Sequence, residues 1–371
     1  MVKNKILLTV VLVIVAGAIY YLQSEKASPT ASPQNEAVSP VNQATSTKSQ
    51  TSIVTCSPGS EKAGSLECYH EISTPDGFIN TKKISLGDLV GQKVILVDFW
   101  TYSCINCQRT TPYLNAWYEK YKDQGLEIIG VHTPEFEFEK KYENVTAAVK
   151  KEKIQYPVVL DNDYSTWQAY RNQYWPHKYL IDIHGAIIYD HIGEGGYAET
   201  ESKIQAALAE RMSVLGEKMK LKNDITSPQE EVGSDLSKIG SPETYFGAFR
   251  NKYLGSGQPG VTGEFDFKNP PEVKANTLYL VGRWKIENQY AESLSQNAKI
   301  IFKYHSKDVY FVSSAPSSTK VQILKDGHLI KSLDIQTDQL YELIKDPTYG
   351  EHTLEILIPT PGLKAFTFTF G

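Results

Sequence analysis

Cysteine is scarce in this chain: four residues in 371, at positions 56, 68, 104 and 107. So low and even a count excludes a disulfide-built scaffold and leaves room for one structural pair and one pair with special chemistry. Positive charge is not in surplus either. With 38 Lys and Arg against 43 Asp and Glu the net charge is −5, which argues against a nucleic-acid partner. No internal repeat is evident. What remains is ordinary globular composition, 41% apolar and 22% charged, in a chain too long for one compact core, so two domains are expected.

Charge is also absent from Ile6 to Leu22, an apolar run preceded by Lys3 and Lys5. Its length is at the short end of what spans a bilayer, and the leading lysines place the N-terminus in the cytoplasm. A cleaved signal peptide is the rival, with Ala16-Gly17-Ala18 as its cleavage site. Cleavage there leaves Ile19, Tyr20, Tyr21 and Leu22 as a greasy terminus, so an uncleaved anchor is the better reading, with 1–24 as cytoplasmic tip and transmembrane helix. The expected location is the cell membrane, single-pass, with everything beyond it extracytoplasmic, where disulfides persist. Residues 25–55 are rich in Ser, Thr, Pro, Gln and Asn and cannot bury enough surface to fold, so they read as a disordered tether.

Order begins near Cys56. "KVILVDFW" reads as a strand buried on both faces. A helical pattern follows from Cys104 to Tyr121, then "LEIIGVHT" as a strand, Glu137 to Lys151 as a helix, "YPVVLD" as a short strand and Ser165 to Gln173 as a short helix. "KYLIDIHGAIIYDHIG" reads as a hairpin turning at His184-Gly185, and Gly196 to Met212 as a final helix. This succession predicts a central mixed sheet flanked by helices over 56–215. Residues 216–240 are polar and punctuated by Pro, Gly and Ser, a linker. From 241 to 371 short alternating runs, among them "AKIIFKY", "DVYFVSS" and "HTLEILIP", with turn signals such as Asp326-Gly327, predict an all-β sandwich.

The chemistry concentrates in "VDFWTYSCINC". A helix starting at Cys104 puts that thiol at the positive end of the helix dipole, a setting that favours thiolate. Cys107, one turn on, is near enough to close a disulfide but more sheltered, which gives an attacker and a resolver. Asp98 lies mid-strand among apolar residues, so burial should raise its pKa and let it exchange a proton with Cys107. An Asp simply solvated at a sheet edge is the bland alternative. No metal is expected, because the eleven residues between Cys56 and Cys68 do not match the paired short spacings of structural zinc sites. A peroxiredoxin-type thiol peroxidase rests on Thr101 and Cys104, but Val97 and Asp98 stand where its proline is expected. Cys56 and Cys68 read as a structural disulfide, the alternative being a second redox pair. His132 and His177 flank the expected site, more as packing residues than as participants.

"VDFWTYSCINC" resembles the thioredoxin motif, with the Asp, Phe, Trp and both cysteines in matching places, and Pro112 matches the proline of that family's first long helix. "YWPHKYLIDIHG" is similar to the segment holding the family's cis-proline, which implies Pro176, with Trp175 before it, as a substrate-docking element. "LEIIGVHTPEFEFEK" resembles the TlpA-type, membrane-tethered branch, which implies that Glu135 faces the cysteines. "WTYSCINC" and "SPETYFG…AFTFTFG" resemble the thioredoxin-plus-sandwich part of DipZ-type proteins. The resemblance implies a thiol–disulfide oxidoreductase that needs no cofactor beyond its redox-active disulfide and acts on protein disulfides or dithiols, in cytochrome c maturation or related redox homeostasis. Two departures matter. Ser103 stands where a tryptophan usually precedes the first cysteine, and a single anchor replaces the multispanning electron-transfer domain, so a separate membrane protein must donate electrons. The competing class is a surface binding protein whose sandwich captures a glycan or a partner protein.

Overall fold

The computed structural model describes residues 55–60, 66–218, 220–228 and 235–371. The apolar run at Ile6–Leu22 and the tether up to residue 54 lie outside these. Among the described residues no helix is long and apolar enough to cross a membrane.

The first half is built on a six-stranded sheet. Its strands are β1 (Gly77–Ile79), β2 (Val94–Trp100), β3 (Leu126–His132), β4 (Val158–Leu160), β5 (His177–Ile181) and β6 (Ile187–Ile192), in the order β1-β4-β3-β2-β5-β6. β2 pairs parallel with β3, and β3 with β4, while β2–β5, β5–β6 and β1–β4 are antiparallel. The mixed sheet follows from the connections: helical crossovers join the parallel strands, whereas β5 and β6 are joined by a tight turn whose Gly185 has φ +87°. Every residue of β2 is buried. Alternation sends Ile95, Val97 and Phe99 into one core and Val94, Leu96 and Trp100 into the other. Asp98 has the parity of the second set.

Five helices cover the sheet: α1 (Leu86–Leu89), α2 (Ile105–Tyr121), α3 (Tyr142–Lys151), α4 (Ser165–Ala169) and α5 (Tyr197–Leu215). The single helix expected from Glu137 to Lys151 is two elements, a 3-10 turn over Glu137–Lys140 and then α3. Lys141 between them is extended (φ −72°, ψ 119°). Glu139 causes the break: its carboxylate folds back to accept from the Glu135 and Phe136 N–H groups. The stretch 216–240 is not a free spacer in its described part. The Thr226 N–H donates to Glu201 on α5, and the Tyr121 hydroxyl at the end of α2 donates to the Lys222 carbonyl.

The second half is all β: β7 (Thr244–Tyr245), β8 (Gly263–Phe267), β9 (Leu278–Ile286), β10 (Ala291–Ser293), β11 (Ala298–Ser314), β12 (Thr319–Lys325), β13 (His328–Ile335), β14 (Gln339–Ile358) and β15 (Lys364–Phe370). These are not the two separate sheets of a sandwich. They form one hydrogen-bonded network, because the 17-residue β11 pairs with β9 and β14 along its first part and with β15 and β14 along its second. "AKIIFKY" and "DVYFVSS" are therefore one strand. It bends at a bulge where the Ser306 hydroxyl donates to the Asp308 and Gly371 carbonyls.

The two halves pack into one unit. Phe366 of β15 meets Phe136 and Phe138 edge-on at centroid distances of 5.2 and 4.8 Å, and Val312 of β11 joins the same core as Trp100, Tyr102 and Cys107. The β domain thus packs into the core layer that contains Cys107.

Candidate active site: a dithiol over a buried aspartate

Cys104 is the N-cap residue of α2, at the positive end of the helix and partly exposed, whereas Cys107 in the first turn is 2% exposed. The two thiols are in hydrogen-bonding contact. Burial pushes the Cys107 thiol well above its ordinary pKa, and the neighbouring Cys104 and Asp98 charges push the same way. Cys107 is thus held as a thiol until a base removes its proton.

Asp98 is the carboxylate whose charge acts on Cys107. It shares a core face with Cys107, and burial raises its pKa to about 7. Its Oδ1 has no hydrogen-bond partner among the described residues. Opposing the burial effect is Lys178, directly across from Asp98 in the β2–β5 ladder, fully buried and donating to the Gly193 carbonyl at 3.0 Å. Burial lowers the Lys178 pKa and Asp98 raises it. On the other side of Asp98 the register partner is Gly130. A Cβ there would come within 2.9 Å of Trp100 Nε1, so glycine lets the indole lie across β3.

The peptide bond between Trp175 and Pro176 is cis. Cys104 Sγ lies 3.9 Å from the Trp175 carbonyl oxygen, so the Trp175-Pro176 segment borders the exposed thiol. The Trp175 ring packs on Trp167 at 4.3 Å and its Nε1 donates to the Thr133 carbonyl.

Glu135 is directed elsewhere. Its carboxylate accepts from the Tyr245 hydroxyl at 2.8 Å and pairs with Arg250 at 2.7 Å, both from the β domain. Glu139, fully buried, is the acid that accepts from the hydroxyl of Ser103, the residue before Cys104, at 2.6 Å. On the opposite flank Arg109 of α2 forms a buried ion pair with Glu194 at 3.1 Å, and its Nη2 lies 3.5 Å from the Tyr310 hydroxyl of β11. The Tyr102 hydroxyl donates to the Asp338 carbonyl. The β domain therefore walls part of the site.

Both histidines are packing residues. His132 is fully buried between Trp100 and Tyr102, and burial takes its pKa down to about 3. His177 bonds Asn172 and Asp190. Far from α2 in the sequence, Cys56 and Cys68 are joined by a disulfide with Cα atoms 6.0 Å apart.

Sequence reasoning did not single out Lys178, Glu139, Arg109 or Glu194. Lys178 carries the clearest signal, a lysine heading the otherwise apolar run "KYLI". The third glutamate in "PEFEFEK" is a fainter one.

A partly exposed thiol at a helix start, touching a buried thiol with a buried carboxylate nearby, belongs to the dithiol exchangers of thioredoxin-like fold. The AhpC/TSA family model matches residues 70–190, and the model of the thioredoxin-like C-terminal domain matches residues 241–371. Protein DipZ of Mycobacterium bovis is 38% identical over 319 residues, 85% of this chain but 44% of DipZ, so the chain spans less than half of that relative. Thiol-disulfide oxidoreductase ResA of Bacillus cereus is 35% identical over 124 residues, 33% of this chain and 68% of ResA. A solution structure of a thiol:disulfide interchange protein from a Bacteroides species, 29% identical, covers 34% of this chain and 80% of its own, with a TM-score of 0.30. The chain belongs to the thioredoxin-like thiol-disulfide oxidoreductases.

Proposed function

We propose that this enzyme reduces protein disulfides outside the cytoplasm, tethered to the membrane by Ile6–Leu22. The observation that carries the reading is the contrast between its two touching thiols, one reachable and one sheltered. The Cys104 thiolate attacks one sulfur of a client disulfide, forms a mixed disulfide and releases the other sulfur as thiolate. Asp98 takes the proton from Cys107, whose thiolate attacks Cys104 Sγ. The second client sulfur leaves, and two electrons have passed from the dithiol to the client. The Trp175-Pro176 segment borders the groove where the client strand docks. A separate membrane protein re-reduces the Cys104–Cys107 disulfide, and no metal or organic cofactor takes part.

Reduction is favoured over oxidation because Ile105 and Asn106 add no positive charge that would stabilise the reduced, thiolate form. Two touching thiols favour exchange over the peroxidase alternative, whose first step needs only one. A glycan or partner protein held by the β domain is compatible with this chemistry and would localise the enzyme. The test is an insulin-reduction assay on the full chain: activity abolished by Cys104→Ser supports the reading, and an inactive unmodified chain refutes it.

A further inference from the structure

Ser103 fills the position immediately before the attacking cysteine and is 1% exposed. Its hydroxyl and its N–H both donate to one oxygen of Glu139, at 2.6 and 3.3 Å. The other oxygen of Glu139 accepts from the N–H groups of Glu135 and Phe136, at 2.6 and 2.9 Å. One fully buried carboxylate thereby gathers these four donors, and the Thr101 side chain as well, from two segments distant in the sequence. Three of these donors are backbone N–H groups, which only donate, so the arrangement fits an ionised acceptor. A cap for the 3-10 turn needs the Phe136 contact alone. The reach to Ser103 is additional, and it ties the residue beside Cys104 to that turn. Thr101 accepts from the Cys104 N–H, and Tyr102 is held by Gln108 and Asp338.

We propose that Glu139 is a positioning residue for disulfide exchange, clamping Ser103, and through it Cys104, to the turn that carries Glu135. The clamp is anchored in turn on the β domain, because the Glu135 side chain is held by Arg250 and Tyr245. Burial, reinforced by the Glu135 charge, raises the Glu139 pKa to about 7, and the Ser103, Thr101 and Phe136 donors oppose that rise. Glutamine at this position cannot reproduce the pattern: its amide nitrogen would face either the Ser103 N–H or the two N–H groups of the turn.

This inference rests on the exchange reading, so the experiment separates the two. Insulin reduction is measured on the full chain with Glu139→Gln, Ser103→Ala and both together. Misplacing an attacking group by a fraction of an ångström to 1 Å slows catalysis by about ten- to a hundredfold. Each single variant is expected to lower kcat by about tenfold with KM unmoved, and the double variant to fall no further than Glu139→Gln alone, since both cut one contact. Folded variants with unmodified kcat, or losses that multiply in the double variant, overturn the clamp. Should Glu139→Gln fail to fold, Ser103→Ala decides, because it removes a single hydroxyl. An unmodified chain with no reductase activity overturns the exchange reading instead.

Discussion

Asp98 and Lys178 stand directly opposite each other on neighbouring strands, both buried, beside the core layer that holds Cys107. Burial pushes the Asp98 carboxyl up to about 7, and the Lys178 charge opposes that rise. Below that pH Asp98 already carries a proton and cannot accept one from Cys107. Above it the carboxylate is available.

Resolution of the mixed disulfide by Cys107 should therefore speed up as pH rises through about 7 and then level off. Asp98→Asn should remove this inflection and slow resolution on the order of a hundredfold, the scale of a positioned general base. Lys178→Met should move the inflection to higher pH, since the cation that favours the charged carboxylate is gone. Stopped-flow tryptophan fluorescence of a preformed mixed disulfide follows the step. An unchanged profile in both variants would show that another group takes the proton.

Arg109 and Glu194 have side chains only 3% and 8% exposed, so each is the other's substitute for water. Arg109→Met strands the carboxylate and should cost about 3–5 kcal/mol in denaturant unfolding. Adding Glu194→Gln should restore most of that loss. Equal costs in the single and double variants would mean that the helix packing, not the pair, was disturbed.

His132 is buried neutral, with a pKa lowered from 6.5 to about 3. The unfolded chain takes up a proton below 6.5 that the folded chain refuses down to about 3, so this group weakens the fold as pH falls through that window. The loss between pH 7 and pH 5 is about 2 kcal/mol. Asp98 and Glu139, with raised pKa values, act in the opposite direction over similar pH, so the comparison must be with His132→Gln. Whatever its offset, the variant's stability should fall more gently on acidification than the unmodified chain's. Parallel curves would contradict the assignment.

Local signals reached far along this chain. The apolar run of β2 announced a strand buried on both faces, the His184-Gly185 and Asp326-Gly327 pairs announced their turns, and the cysteine spacing announced the dithiol. What stayed hidden depends on contacts between distant segments. β14 runs continuously through Pro347, with four residues, Asp346 to Tyr349, set against the bulge of β11 between Ser306 and Asp308. The joining of the β strands into one network is set by the pairing of β11 with three partners, which alternation cannot encode. Glu135 and Glu139 look equivalent in sequence. Only the packing of Arg250 and Tyr245 against the first decides which carboxylate is drawn to the β domain and which turns inward to Ser103.

The central claim, that Cys104 attacks and Cys107 resolves, is tested most directly by trapping. The full chain carrying Cys107→Ser is mixed with a disulfide-bonded protein, quenched with acid and resolved by non-reducing electrophoresis and mass spectrometry. A stable adduct linked through Cys104, absent from the unmodified chain and from a Cys104→Ser, Cys107→Ser double variant, is expected. No adduct, or one linked through Cys56 or Cys68, would contradict it.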